Sequence, residues 1–145
     1  MFKKEIIVRK SIDKISNIIT EIENYPKFLP FCNKIDVIEK NEESINAKMT
    51  ISFCGIKYSF LSITEISRKK NYCTILTTNK DDIYIKLLNS EWILEEIDSN
   101  QTKINYQVEI ILKNKIQTIV MNNVFNKVAK NIVDSFIQRL VSCLD

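Results

Sequence analysis

The side chains of this 145-residue sequence that could carry acid–base, nucleophilic or metal chemistry are carboxylates, cysteines, lysines and tyrosines, because the chain contains no histidine. Imidazole triads and dyads, HExxH zinc sites and His-ligated haem or iron all need a nitrogen that titrates near neutrality or binds metal, so all are excluded. The candidate carboxylates Glu65, Asp81, Asp82, Glu95 and Glu96 include adjacent pairs. Neighbours along a strand point to opposite faces, so such pairs do not make an acid/base couple. Cys32, Cys54, Cys73 and Cys143 have no CxxC or CxH pairing, which removes zinc ribbons and thioredoxin-type motifs and leaves buried reduced thiols as the expectation. With Gly55 as the single glycine, neither GxGxxG nor GxxxxGK[ST] exists, and Walker or Rossmann nucleotide sites are excluded. The residues therefore point away from an enzyme and away from a metal site.

A different feature stands out in Tyr25-Pro26-Lys27-Phe28-Leu29-Pro30-Phe31, where two prolines are expected to break regular structure around large apolar side chains. A loop with that much apolar surface either seals a core or lines an entrance. Trp92, the only tryptophan, has the same two readings, core residue or cavity lining.

The elements that must position these residues are legible from periodicity. Phe2 to Arg9 reads as a strand, and Ser11 then caps a helix ending near Asn24, with Ile12, Ile15, Ile18, Ile19 and Ile22 on one face. From Asn33 to Leu112 the period is two. Ile45, Ala47, Met49, Ile51 and Phe53 alternate with polar residues, as do Ile104, Tyr106, Val108, Ile110 and Leu112. Between them lie Lys57 to Ile66, Tyr72 to Thr78 and Ile83 to Ile97, separated by turn-forming clusters and by a tight turn at Cys54-Gly55. Short strands in succession without helices between them require an antiparallel meander with one apolar face. Lys115 to Leu144 lacks Gly and Pro, and Met121, Val124, Phe125, Val128, Ala129, Ile132 and Phe136 share one helical face. A helix of that length spans roughly 45 Å, enough to cover the sheet. The expectation is one α+β domain over residues 1–145.

The formal charge is +3, too small for a dedicated nucleic-acid binder, and no DNA partner is expected. Residues 1–112 balance at 16 basic and 16 acidic groups, so the surplus lies on the final helix. There Lys115, Lys127 and Lys130 share a face with Asn122, Asn123 and Asn126, either as a plain solvated face or as a docking surface for an anionic partner. Ile116, Ile119 and Val120 fall off the sheet-facing stripe, and are either covered by the proline loop or free for an apolar contact. The N-terminus shows no signal-peptide core, and no run is long and apolar enough for a membrane span. A cytoplasmic protein with peripheral access to the inner membrane is the expectation.

The segment Tyr25-Pro26-Lys27-Phe28-Leu29-Pro30-Phe31-Cys32 resembles the Y-P-x-F-L-P-W/G-C signature of the coenzyme-Q-binding START-type proteins of the polyketide cyclase-like superfamily. The likeness continues through Trp92, Asn114-Lys115, Val124-Phe125-Asn126-Lys127-Val128 and Asp134-Ser135-Phe136-Ile137-Gln138-Arg139. Phe31 stands where many relatives have Trp, Asn89-Ser90 replaces a common glycine, and Ile110-Ile111-Leu112 replaces a more aromatic stretch. The resemblance implies a helix-grip fold, a curved antiparallel sheet of about seven strands wrapped around the long C-terminal helix with an apolar tunnel between them. It implies ligand contacts at Tyr25, Pro26, Phe28, Leu29, Pro30, Phe31, Trp92, Phe125, Val128, Ile132 and Phe136. The expected ligand is ubiquinone or a related prenylquinone, carried without catalysis in support of respiratory electron transport or quinone biosynthesis. The same family contains a bacterial ribosome-association toxin, which makes binding to the large ribosomal subunit and a block of subunit joining the second reading. A polyketide-type cyclase or dehydrase, which would require a polar group inside the tunnel, is the third.

Overall fold

Seven strands in the order β1-β7-β6-β5-β4-β3-β2, all neighbours antiparallel, form one sheet in the computed structural model, which describes residues 1–53 and 55–142. The strands are β1 (Phe2–Val8), β2 (Cys32–Lys40), β3 (Ser44–Phe53), β4 (Ile56–Lys69), β5 (Tyr72–Asn79), β6 (Ile85–Asp98) and β7 (Gln101–Leu112). Between β1 and β2 lie α1 (Ile12–Thr20), a 3-10 turn (Ile22–Asn24) and α2 (Tyr25–Phe28), and α3 (Lys115–Ser142) closes the chain. This is the helix-grip arrangement that the family resemblance implies, and it contains the antiparallel meander and long C-terminal helix expected from periodicity. Cys54, Cys143 and Leu144 lie outside the described residues.

Alternation decides the two faces. Along β7, Thr102, Ile104, Tyr106, Val108 and Leu112 are buried while the residues between them stay partly open. Register shifts in β2 (Cys32/Lys34, Val37/Glu39) and β6 (Ile85/Leu87, Glu96/Asp98) interrupt regular pairing, as bulges do, at points where strands can bend. At one end of the concave face α1 lays Ile15 and Ile19, with Ile22 behind them, against the sheet, each at most 1% exposed. Burial of such side chains contributes about 1.5–3 kcal/mol each. Ser11 caps α1 by accepting from the Lys14 N–H at 3.3 Å, and the Thr102 hydroxyl donates to the Lys10 carbonyl at 2.9 Å, tying the β1–α1 corner to β7.

Three expectations need correction. The proline segment does not simply break structure: Tyr25–Phe28 is a single helical turn, with Pro26 at its start, where a missing N–H costs nothing. The strand expected from Ile83 begins at Ile85, because the Asp82 carboxylate accepts from the N–H groups of Tyr84 and Ile85, at 2.9 Å each, and turns the chain there. Val124, expected on the sheet-facing stripe of α3, is 36% exposed on the helix flank.

Candidate ligand cavity

Between α3 and the concave face of the sheet, next to the proline segment, lies a cavity of about 170 Å³. Helix α3 supplies Phe125, Val128, Ala129, Ile132 and Phe136, one face at helical spacing. The sheet supplies Met49 and Ile51 from β3, Phe60 from β4, Thr77 from β5, Leu88, Ser90 and Trp92 from β6, and Tyr106, Val108 and Ile110 from β7. Tyr25, Leu29, Phe31 and Cys32 close the remaining side. Phe31 is held at this rim because its carbonyl accepts from the Ser52 N–H at 2.9 Å, as β2 begins to pair with β3.

The structure divides the residues singled out in the sequence. Tyr25, Leu29, Phe31, Trp92, Phe125, Val128, Ile132 and Phe136 meet around the cavity. Pro26, Phe28 and Pro30 do not. Pro26 starts α2, Pro30 is exposed, and Phe28 turns away to pack edge-on against Phe136 (5.2 Å between ring centroids) and Tyr25 (5.8 Å), under the Arg139 guanidinium at 5.5 Å. Phe136 is the hub of this aromatic wall, since Tyr25 at 5.1 Å and Trp92 at 4.8 Å also meet it nearly edge-to-face, an arrangement that ring quadrupoles favour. The Tyr25 hydroxyl donates to the Ile19 carbonyl, which locks α2 onto the end of α1. Trp92 is thus both core and cavity lining, 4% exposed with one face on Tyr106 at 4.1 Å.

The polar group absent from the sequence reading is the pair Ser90 and Tyr106. The Ser90 hydroxyl donates to the phenolic oxygen of Tyr106 at 3.3 Å, so that bond does not use the Tyr106 proton, which is left for an acceptor within the cavity. Burial pushes the Tyr106 phenol up to about 12, partly offset by the Ser90 hydrogen bond, and keeps it a neutral donor at physiological pH. Burial likewise raises Tyr25 above the usual phenol range and pushes the Cys32 thiol up to about 11, leaving it protonated and a poor nucleophile. The period-two pattern does place Tyr106 and Ser90 on the inner face. That they touch follows from strand register, in which Trp92 opposes Tyr106 and Ser90 opposes Val108.

The carboxylates have other work. Glu91 accepts from the Gln107 side chain at 2.6 Å, Glu95 lies 3.9 Å from Lys103, Asp81 is 3.5 Å from Lys113, and Asp82 holds its turn. None lines the cavity, and Glu109, between the inward Val108 and Ile110, belongs to the opposite face. Among the described residues no group of His, Cys, Asp and Glu could hold a metal ion, and no helix is long and apolar enough to cross a membrane. Lys115, Lys127 and Lys130 are exposed on α3, as are Asn122, Asn123 and Asn126.

Comparison with known proteins agrees with this geometry. The chain is 23% identical over 136 residues to the ribosome association toxin RatA of Vibrio cholerae, covering 94% of this chain and 92% of that protein. It is also 23% identical over 126 residues to the mitochondrial coenzyme Q-binding protein coq10 of Schizosaccharomyces pombe, covering 85% and 76%. The fold matches the STAR-related lipid transfer protein of Xanthomonas axonopodis with a TM-score of 0.83 at 10% identity, over 97% of this chain and 85% of that one. A family model described as polyketide cyclase / dehydrase and lipid transport matches residues 8–137, and with a cavity enclosed between the gripping sheet and its helix, this chain belongs to that family.

Proposed function

We propose that the protein is a non-enzymatic carrier of an apolar lipid with a ring headgroup, a prenylquinone such as ubiquinone, held ring-first in the cavity. The observation that carries this reading is the cavity's chemistry, a mostly apolar space of about 170 Å³ with the Ser90 and Tyr106 hydroxyls paired at one point of its wall, while the Thr77 hydroxyl is engaged with Thr64 at 2.8 Å. An engineered apolar cavity of ~150 Å³ holds benzene, so this one matches a single six-membered ring, and not a whole prenyl tail. A quinone carbonyl would accept from the Tyr106 hydroxyl, and the tail would leave past Leu29, Phe31 and Phe125. Each tail methylene kept from water there gains about 0.8 kcal/mol. Carboxylates engaged away from the cavity and a protonated Cys32 support carriage over catalysis.

The single tryptophan makes the test direct, because Trp92 lines the cavity. A short-chain quinone added to the purified protein should quench its fluorescence saturably, and organic extracts of protein from a quinone-producing host should contain quinone. Linear, unsaturable quenching together with quinone-free extracts would refute the reading.

A second reading rests on the full-length likeness to RatA and on the exposed Lys115, Lys127 and Lys130. Here α3 meets phosphates of the large ribosomal subunit and subunit joining is blocked. Sucrose gradients after induction test it. Unchanged subunit and monosome peaks would dismiss it.

A further inference from the structure

Six large apolar side chains lie open at one end of the molecule. Ile83 (79% exposed) projects from the β5–β6 loop beside the half-exposed Tyr84, whose ring packs edge-on against Tyr58 at 5.5 Å, and Ile116 (74%), Ile119 (62%), Val120 and Val124 run along the first turns of α3. Exposed isoleucines are unremarkable singly, but a contiguous group marks an interaction surface.

The group is contiguous and held by an ordered scaffold. The Lys113 N–H donates to the Tyr84 carbonyl at 2.8 Å, and Lys113 reaches Asp81 at 3.5 Å, which joins the loop to the start of α3. Asn79 anchors the loop base, accepting from the Leu88 N–H at 2.7 Å and donating to the Ile85 carbonyl at 3.3 Å. On the helix side Asn114 caps Gln117 at 3.0 Å and the Thr118 hydroxyl donates back to the Leu112 carbonyl at 2.9 Å.

Charge around this patch is predominantly positive. Lys80, Lys86, Lys113, Lys115 and Lys127 are exposed about it, and the sequence holds no acidic residue from Ile110 to Val133 or from Ile83 to Ser90. The two nearby acids are engaged, Asp81 with Lys113 and Asp82 with backbone N–H groups. The patch also runs into the cavity wall, since Val124 is followed by Phe125, and Leu88 and Ile110 continue the strands that bear it.

We infer that this end of the molecule docks on an anionic lipid bilayer, with Ile83, Ile116 and Ile119 entering the boundary between headgroups and acyl chains and the lysines facing lipid phosphates. Its purpose, passing a lipid ligand between bilayer and cavity, rests on the function proposed above. Interfacial binding combines buried apolar area with attraction of cations to anionic headgroups, which are the two features combined here. An RNA backbone would satisfy the lysines and leave the isoleucines uncovered. A second copy in symmetric contact would set lysines against lysines.

The test is sedimentation of the full chain with vesicles of phosphatidylcholine alone and of phosphatidylcholine with phosphatidylglycerol. Association should be roughly ten-fold or more stronger with the anionic vesicles and should weaken as salt rises. The I116S/I119S variant should lose it roughly ten-fold while melting as the parent does, because both side chains are already exposed. Equal partitioning to both vesicle types, or an I116S/I119S variant that binds as the parent, would overturn the inference. So would a parent dimer that this variant dissociates, or a variant defect seen with purified large ribosomal subunits and no parent binding to vesicles. Quenching of Trp92 by short-chain quinone in vesicle-free buffer separates the two proposals. Quenching without vesicle binding overturns the docking surface alone, and vesicle binding without quenching supports docking while removing the quinone reading.

Discussion

Trp92 and Tyr106 stack at 4.1 Å between ring centroids, directly paired across β6 and β7, and the Tyr106 hydroxyl at the edge of that stack receives a hydrogen bond from Ser90. The two rings, tilted 34° to one another, make an apolar wall, and the hydroxyl sets a polar point beside it. A ring bearing a carbonyl, as proposed above, would meet both features at once.

Tyr106→Phe keeps the wall and removes the donor. Affinity for a short-chain quinone should fall roughly ten-fold, equivalent to about 1.4 kcal/mol, while stability changes by about 1 kcal/mol. Titration of Trp92 fluorescence against the parent checks the first number, and urea denaturation the second.

Ala129 lines the cavity and is 1% exposed. Ala129→Leu grows into empty space, so the usual overpacking cost of about 1–3 kcal/mol should be largely avoided while the ring is excluded. The expected result is a folded protein, with a melting temperature near the parent's, that no longer shows saturable quenching.

Phe136 and Arg139 share an aromatic wall and should differ sharply. Phe136→Ala removes the ring that Tyr25, Phe28 and Trp92 all meet, and should cost about 3–5 kcal/mol. Arg139→Ala removes a cation from above Phe28 and should cost only about 0.5–1 kcal/mol. Denaturant midpoints of the two variants give the comparison.

Alkaline pH should unfold the protein through its buried acids. Tyr106 moves from 10.0 to about 12 on burial and Cys32 from 9.0 to about 11, with Tyr25 raised as well. A group with a raised folded pKa holds its proton more tightly in the native state, so stability is complete below the unfolded pKa and is lost as pH rises through the folded one. Melting temperature should therefore fall progressively between about pH 9 and 12. Tyr106→Phe should flatten the upper part of that fall.

Much of the fold is readable because periodicity is a local property. The alternation of Ile104, Tyr106, Val108 and Ile110, and the 3.6 spacing of Phe125, Val128, Ile132 and Phe136, each mark the face an element turns inward. Periodicity misplaces Val124, near the edge of its stripe, where being buried depends on how far the sheet reaches along the helix. It also misplaces Ile83, because the Asp82 turn outweighs the strand preference of the residues after it.

Composition alone excludes some chemistry, since no histidine and a single glycine rule out imidazole catalysis and phosphate loops in any fold, and the hydropathy pattern marks which faces are apolar. Tertiary structure decided the rest. Phe28 and Phe31 sit three residues apart on one apolar loop, yet one helical turn sends Phe28 into the aromatic wall beneath Arg139 while the pairing of β2 with β3 holds Phe31 at the cavity. Ser90 and Tyr106 become one polar point only through the register of β6 on β7. Composition and spacing state which way a side chain points. What it meets there, and whether the space is filled, depends on residues far away in the chain.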